Sequence, residues 1–294
     1  MTRQPALAHW TRVVLFMLVH GTLLGAEQAP ELKAFGHVRG SFEFDGGEGV
    51  PPVRVWYHQP SHPSSKSRVL FLMHGSSRTG EEARNIGAPF AEDHDFVLLV
   101  PEFRERDYPG DRYAFGNMSD GAGHLQPEAK WGFVVIERLF DLVRQKLGLG
   151  TTTYDIIGHS AGGQFVHRLV LFLPSARFRR AIASSPGRYA FPTLRQSFPY
   201  GLGGSGIDAA RLATAFGRDF ILLLGDRDTT DREREAAAMF QGANRYARGL
   251  RFFATATEEA RALNSALAWR LRIVNGADHT PGPMVRASLE EVLK

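Results

Sequence analysis

Short apolar runs alternate with helical stretches along most of the chain, and this alternation limits the folds open to it. Residues 69–73 are five apolar residues in succession, and the run ends at His74 and Gly75. Continuous apolarity between turn residues is typical of a strand buried on both faces of a parallel sheet. The same pattern predicts strands at 96–100, 155–157, 181–183, 220–224 and 271–274, after two earlier β-like runs at 37–44 and 53–58.

The segments between several of these runs have the periodicity of helices. From 130 to 147, apolar residues recur every three or four positions, and Gly148 follows as a terminator. Strands that alternate with helices imply βαβ crossovers, so we expect an α/β fold with a doubly wound, mostly parallel central sheet flanked by helices. Ligands bind such sheets at the carboxyl ends of the strands. Further helices are predicted at 165–173, 258–267 and 284–293.

The composition excludes several classes of protein. With 43% hydrophobic and 22% charged residues among 294, the chain is neither collagen-like, coiled-coil nor disordered. The absence of cysteine excludes disulfides, thiol nucleophiles and zinc–thiolate sites. The 35 basic residues barely outnumber the 31 acidic ones and lack a groove-reading motif, so no nucleic-acid partner is predicted. No repeat or linker divides residues 27–294, which are predicted to form one domain.

The N-terminus has the features of an export signal. Arg3 and Arg12 precede an apolar run over 13–24, and Ala26 follows as a small residue suited to cleavage. The run is shorter than the roughly 20 residues that a membrane span needs. We therefore predict a signal peptide at 1–26, a periplasmic or secreted protein, and no stable membrane anchor after cleavage. A membrane-anchored amphipathic start is the alternative.

A candidate nucleophile lies at a strand-to-helix junction. Residues 158–162 read GHSAG, directly after one predicted strand and before a helix. This G-x-S-x-G pattern is weak alone, but between a strand and a helix it is typical of a sharp turn that presents a serine. Small residues are needed on both sides of Ser160 because the turn brings neighbouring backbone close. A bystander serine is the alternative, and His159 is interpreted as a packing residue.

The residues after the first fully buried strand are candidates for backbone donors that stabilise an oxyanion. His74 and Gly75 end that strand, and Ser76 follows. A tetrahedral intermediate places negative charge on the former carbonyl oxygen, and losing one preorganised donor costs about 100–1000-fold in rate. We assign this role to the backbone N–H groups of Ser76 and Ala161. The alternative for His74 and Gly75 is a plain strand-ending turn.

Four motifs together resemble one family over nearly all of the predicted mature chain. They are LMHGSS after an early strand, GHSAGG at the turn, LLLGDRDTTD after a late strand and VNGADHT before the last helix. The chain thus resembles a serine hydrolase of the α/β-hydrolase fold. More narrowly, it is similar to bacterial esterases of the polyhydroxyalkanoate-depolymerase-like and feruloyl-esterase-like groups. The resemblance implies partners for the serine in the order acid then histidine, and no metal or organic cofactor.

Three aspartates follow the late strand and compete for the role of acid. The family pattern places the acid about three residues after the strand, which corresponds to Asp228. Asp226 and Asp231 are the alternatives; Asp226 is expected to bond turn amides or Arg227, and Asp231 to cap a following helix. A calcium loop is a further interpretation of this cluster, but it lacks loop-closing Glu and Gly residues.

The resemblance also identifies the base. His279 follows the last predicted strand and is the only histidine after Asp228. A lone histidine is more often structural, but its place after the final strand favours catalysis. In this assignment Asp228 holds the His279 tautomer and stabilises the imidazolium.

A short cap insertion is predicted at about 187–218. Its aromatic residues include Tyr189 and Phe198, which we assign to an apolar or aromatic part of the substrate. The alternative is that these rings pack the insertion onto the sheet.

The sequence as a whole predicts an exported carboxylic-ester hydrolase acting on a small-molecule ester, with Ser160, Asp228 and His279 as its triad. Peptidase and acyltransferase activities use the same triad. A binding protein that keeps the fold without turnover belongs to another class, and retention of all four motifs weighs against it.

Overall fold

A computed structural model describes Met1, residues 38–230 and residues 236–294. Apart from Met1, the predicted signal peptide lies outside the described residues. The strands form one eight-stranded sheet. They are β1 (Arg39–Phe44), β2 (Val53–His58), β3 (Arg68–Met73), β4 (Phe96–Glu102), β5 (Tyr154–His159), β6 (Phe178–Ser184), β7 (Phe220–Gly225) and β8 (Arg270–Val274).

The order of strands is β1-β2-β4-β3-β5-β6-β7-β8. β2 pairs antiparallel with β1 and β4, and every pairing from β4 to β8 is parallel. The predicted α/β class with a mostly parallel sheet is therefore confirmed. β6 begins at Phe178, three residues before its predicted apolar run, because Phe178 pairs with Tyr154 of β5. The charged Arg180 within this extension is buried and forms a 2.8 Å ion pair with Asp219.

Helices cover both faces of the sheet, as a doubly wound fold requires. Apolar residues of α1 and α7 pack on one face, and those of α2, α3, α4 and α6 pack on the other. In the part of the chain that the structure describes, no helix is long and apolar enough to cross a membrane. The helices are α1 (Gly80–Asp93), α2 (Gly132–Lys146), α3 (Ala161–Phe172), α4 (Ala209–Phe216), α5 (Ala236–Gln241), α6 (Arg245–Ala262) and α7 (Pro281–Leu293).

Several helices differ from the sequence-based prediction. The pattern did not predict α1, which contains Gly87 and Pro89, two residues unfavourable inside a helix. Gly87 serves packing instead, since a Cβ there would lie 2.9 Å from the side chain of Leu98 in β4. α4 was not predicted either, although Asp208 caps it by accepting a hydrogen bond from the Arg211 N–H. Of the helix predicted at 258–267, residues 258–262 form the end of the longer α6, which begins at Arg245; residues 263–267 lie beyond its C-terminus and are not helical.

Two buried histidines connect loops to the sheet and to α3. His74 Nε2 accepts a hydrogen bond from the Phe103 N–H, and its Nδ1–H donates to the Gly75 carbonyl. His167 Nε2 likewise accepts from the Ala190 N–H. A backbone N–H can only donate, so each ring must be neutral at Nε2. Burial lowers the pKa of His74 to about 4 and, with the charge of Arg168, holds the pKa of His167 well below its ordinary value.

These histidines predict a loss of stability in mild acid. Their folded-state pKa lies below the unfolded one, so between about pH 6.5 and 4 the unfolded chain binds protons that the native chain does not. The free energy of unfolding should therefore decrease as the pH is lowered through this range, by up to about 1.4 kcal/mol per pH unit for each histidine. Urea denaturation at pH 7 and pH 5 measures this. His167→Gln should reduce the difference between the two pH values, and an unchanged difference would contradict the assignment.

Candidate active site

The turn between β5 and α3 holds Ser160 in a strained backbone conformation. Its φ of 56° and ψ of −114° are unusual for a residue other than glycine. A Cβ on Gly158 would lie 2.4 Å from the carbonyl oxygen of Gly162. A Cβ on Gly162 would lie 2.2 Å from the carbonyl oxygen of Met73 at the end of β3. Both glycines are thus required by close backbone contacts, and the serine hydroxyl projects at the carboxyl edge of the sheet.

The structure brings three predicted residues into one hydrogen-bonded chain. The Nε2 atom of His279 lies 3.0 Å from the Oγ of Ser160. On the other side of the ring, Nδ1 lies 2.7 Å from Oδ2 of Asp228. Because the carboxylate can only accept, Nδ1 carries a proton and Nε2 is free to accept the one from Ser160. The carboxylate is buried, whereas the histidine side chain is 29% exposed.

The neighbouring aspartates occupy other places. Oδ1 of Asp226 accepts a hydrogen bond from the Gly276 N–H at 2.7 Å, in the loop that carries His279. The sequence led us to expect a bond from Asp226 to turn amides or to Arg227, whereas the amide that it bonds is 50 positions away along the chain. Asp231 lies outside the described residues, so its predicted role as a helix cap stays a prediction.

Arg245 supplies a cation next to the Asp228 carboxylate. Its Nη1 atom lies 3.3 Å from Oδ1 of Asp228, the oxygen that His279 does not use. Burial acts to raise the pKa of Asp228, but the hydrogen bond and charge of His279, together with Arg245, outweigh it and hold the pKa below its ordinary value. The carboxylate is therefore ionised at neutral pH and accepts from both partners.

The two backbone donors assigned to the oxyanion come from loops that lie against each other. Ala161 is the first residue of α3, where backbone N–H groups lack partners within the helix. Ser76 lies in the loop after His74, whose carbonyl oxygen would be 2.8 Å from a Cβ on Gly162. The Tyr113 hydroxyl donates to that same carbonyl at 2.8 Å and supports the loop. The ends of β3 and β5 thus lie side by side, as an oxyanion hole requires.

The two assigned cap aromatics lie in different environments. Tyr189 has no exposed surface and packs against Phe252, with ring centroids 4.8 Å apart. This is the packing role considered as the alternative. Phe198 is partly buried, and its ring meets the edge of Phe172 at 5.8 Å. The insertion that contains both residues has no helix or strand between β6 and α4.

The sequence interpretation missed the contacts of His159. Interpreted as a packing residue, it contacts the loop that carries the candidate base: its Nε2 atom lies 3.1 Å from the carbonyl oxygen of His279. No sequence signal predicts this pair, because the two residues are 120 positions apart.

The described residues contain no candidate metal site. No group of three or more histidine, aspartate or glutamate side chains there is arranged to hold a metal ion.

Comparisons with known proteins give structural relatives. No protein-family model matches the sequence, and no curated protein matches it. The structure is similar to that of poly(aspartic acid) hydrolase-1 from Sphingomonas sp. KT-1, with 37% sequence identity, a TM-score of 0.84, and coverage of 87% of this chain and 98% of that one. It is also similar to LpqC, a poly(3-hydroxybutyrate) depolymerase from Bordetella parapertussis, with 29% identity, a TM-score of 0.82, and coverage of 87% and 91%.

A more distant similarity shows the fold alone. The siderophore hydrolase EstA from Aspergillus nidulans shares 18% identity with this chain at a TM-score of 0.53, over 87% of this chain and 94% of that one.

The close contact at Gly162 predicts that replacing this glycine with alanine destabilises the protein. Gly162→Ala would push a methyl group into backbone of Met73 and His74, atoms that cannot move aside, and should cost about 2–4 kcal/mol of unfolding free energy. Gly75→Ala is the matched control in the adjoining loop, because a Cβ there meets no atom within 4 Å. It should change stability by about 0.5 kcal/mol or less. Urea denaturation of both variants provides the comparison, and equal stabilities would refute the packing argument.

Proposed function

Because the chain belongs to the α/β-hydrolase family of serine hydrolases, we propose that it is an exported carboxylic-ester hydrolase with Ser160, Asp228 and His279 as its catalytic triad. One observation carries the proposal: the continuous chain from the Ser160 hydroxyl through the His279 ring to the Asp228 carboxylate, at 3.0 Å and 2.7 Å. A nucleophile, a base and an acid that orients the base are the groups that acyl transfer requires.

Each member of the triad has one task in the reaction. His279 Nε2 takes the proton from the Ser160 hydroxyl as its oxygen attacks the ester carbonyl. When the tetrahedral intermediate collapses, the same nitrogen gives that proton to the leaving alcohol, and Ser160 is left acylated. A water molecule then attacks the acyl-enzyme by the reverse proton route and releases the acid. Asp228 stays ionised throughout and stabilises the imidazolium, consistent with its lowered pKa.

The backbone N–H groups of Ala161 and Ser76 are proposed to hold the oxyanion. Ala161 stands at the N-terminus of a 12-residue helix, so its N–H adds the positive end of the helix dipole. The contact between Gly162 and the end of β3 fixes the distance between the two donors. Donors fixed in advance stabilise charge without reorganising during the reaction.

The proposed substrate is an ester, and the ester bond belongs either to a small molecule or to a polymer. LpqC is described as acting on poly(3-hydroxybutyrate), a polyester. Amide hydrolysis is the second candidate, because the 37% identical relative is described as a poly(aspartic acid) hydrolase and that polymer is joined by amide bonds. An acyltransferase would use an alcohol in place of water. Ser160 and His279 are both partly exposed, which favours water as the acceptor.

The remaining assignments follow the same proposal. Removal of residues 1–26 would deliver the enzyme to the periplasm or the medium, without a metal, an organic cofactor or a nucleic-acid partner. Within the cap insertion at about 187–218, Phe198 packs against Phe172 at the C-terminal end of α3, about 16 Å along the helix from Ala161, so we assign it to packing of the insertion rather than to substrate contact. Tyr189, whose ring is enclosed by the protein, would support the insertion from below.

A fluorophosphonate label followed by substrate turnover tests the proposal. The probe should attach to the wild-type protein and leave Ser160→Ala unlabelled, and mass spectrometry of peptides locates the adduct. p-Nitrophenyl and hydroxycinnamoyl esters should then be hydrolysed, and faster than anilides with the same acyl groups. A folded protein that takes no label would favour a non-catalytic binding protein. Faster cleavage of the anilides would favour amide hydrolysis.

A second prediction separates the two aspartates. Asp228→Asn removes the acceptor that fixes the His279 tautomer, so kcat should fall by about 10⁴-fold with little change in melting temperature. Asp226→Asn keeps an amide oxygen that can accept from the Gly276 N–H, so kcat should remain within about threefold of wild type. Steady-state kinetics and thermal melts of both variants measure these effects. If Asp226→Asn is the severe one, Asp228 is not the acid.

A further inference from the structure

His159 lies between the nucleophile and the loop that carries the base. It is the last residue of β5, directly before Ser160, and its side-chain hydrogen bonds go to Ser184 and to the main chain of His279. Only 4% of its surface is exposed. Its ring centroid is 4.8 Å from that of His279. The ring is thus enclosed next to the base and bonds neither Ser160 nor Asp228.

The hydrogen bonds of His159 define its tautomer. The carbonyl oxygen of His279 can only accept, so the Nε2 atom of His159, 3.1 Å away, carries a proton and donates to it. The Nδ1 atom lies 3.3 Å from the Oγ of Ser184 in β6 and accepts a hydrogen bond from that hydroxyl. The carbonyl of Ser184 in turn accepts the Ser160 N–H at 2.9 Å. One connected set of bonds therefore joins the nucleophile's backbone to that of His279.

The ring keeps this tautomer during turnover. Burial lowers the pKa of His159 to about 4, and the nearby charge of His279 acts in the same direction. When His279 takes up a proton, His159 therefore stays neutral and continues to donate from Nε2.

We propose that His159 is a positioning residue that holds the main chain of His279, so that the imidazole stays between Asp228 and Ser160. The inference rests on the proposed function of this site. Two other bonds fix the earlier part of the loop, from the Gly276 N–H to Asp226 and from the Arg227 N–H to the Ala277 carbonyl. His159 holds the residue that bears the base itself. A misplacement of about 1 Å in a catalytic group can cost about 100-fold in rate.

Two amide variants separate the hydrogen bond from simple packing. In glutamine, the amide nitrogen is three bonds beyond Cβ, as Nε2 is in histidine, so His159→Gln keeps a donor within reach of the His279 carbonyl. In His159→Asn the amide corresponds to Nδ1 and cannot reach it. His159→Phe keeps an aromatic ring and has no donor. All three variants alter the same buried position, but only His159→Gln preserves the proposed bond.

The expected result is a split between kcat and KM on a p-nitrophenyl ester. His159→Asn and His159→Phe should lower kcat about 10- to 100-fold and change KM by less than about twofold, because the base is displaced while the substrate surface is unaltered. His159→Gln should keep kcat within about fivefold of wild type. The low-field proton NMR signal of the His279 Nδ1–H should remain in wild type and His159→Gln and be lost in the other two. Equal loss in all three variants, or none, would overturn the proposal.

A distant histidine controls for stability. His58 is buried in β2 and pairs with Glu92, so His58→Asn perturbs the fold without touching the site. It should retain kcat, and a loss equal to that of His159→Asn at equal melting temperature would also overturn the proposal. Failure of the proposed function is a different outcome, since the wild-type protein would then show no turnover or the turnover would survive Ser160→Ala.

Discussion

The close approach of three backbone segments at Gly162 is the constraint on which the rest of the site depends. The end of β3 lies against the first turn of α3 at a distance that leaves no room for a Cβ. This contact places the loop after His74 next to the N-terminus of α3 and forces Ser160 into its strained conformation. Strain of about 1–3 kcal/mol is tolerated where surrounding packing fixes the chain, and here a fully buried helix and two buried strands do so.

The loop that carries His279 is fixed by polar contacts rather than by a core. Its residues are mostly exposed or half-buried, so apolar packing contributes little to its position. A carboxylate from the end of β7, a backbone N–H from the same turn and the ring of His159 each bind a different peptide unit of the loop. Such bonds are directional, which lets an exposed loop hold a ring within hydrogen-bonding distance of Ser160.

Three buried, neutral histidines connect loops to the sheet and to α3 in this fold. His74 and His167 each accept a backbone N–H, and His159 donates to a backbone carbonyl. All three have lowered pKa values because they are buried. His279 differs by its greater exposure and by the Asp228 carboxylate that its Nδ1 atom contacts. Burial thus separates these three neutral histidines from His279, whose ring lies between Ser160 and Asp228.

Local pattern and tertiary contact determined different parts of this protein. Apolar runs and turn residues by themselves predicted the parallel strands, the doubly wound class, and the turn at Ser160, because each depends on neighbours in sequence. The strand-end positions of Asp228 and His279 were also predictable, since parallel strands end at one edge. Long-range contacts decided that Asp226 bonds the histidine loop, that Tyr189 lies in the core and that Gly87 belongs to a helix. They also bring His159 against a residue 120 positions away, which no local pattern encodes because the pairing exists only once the sheet has formed.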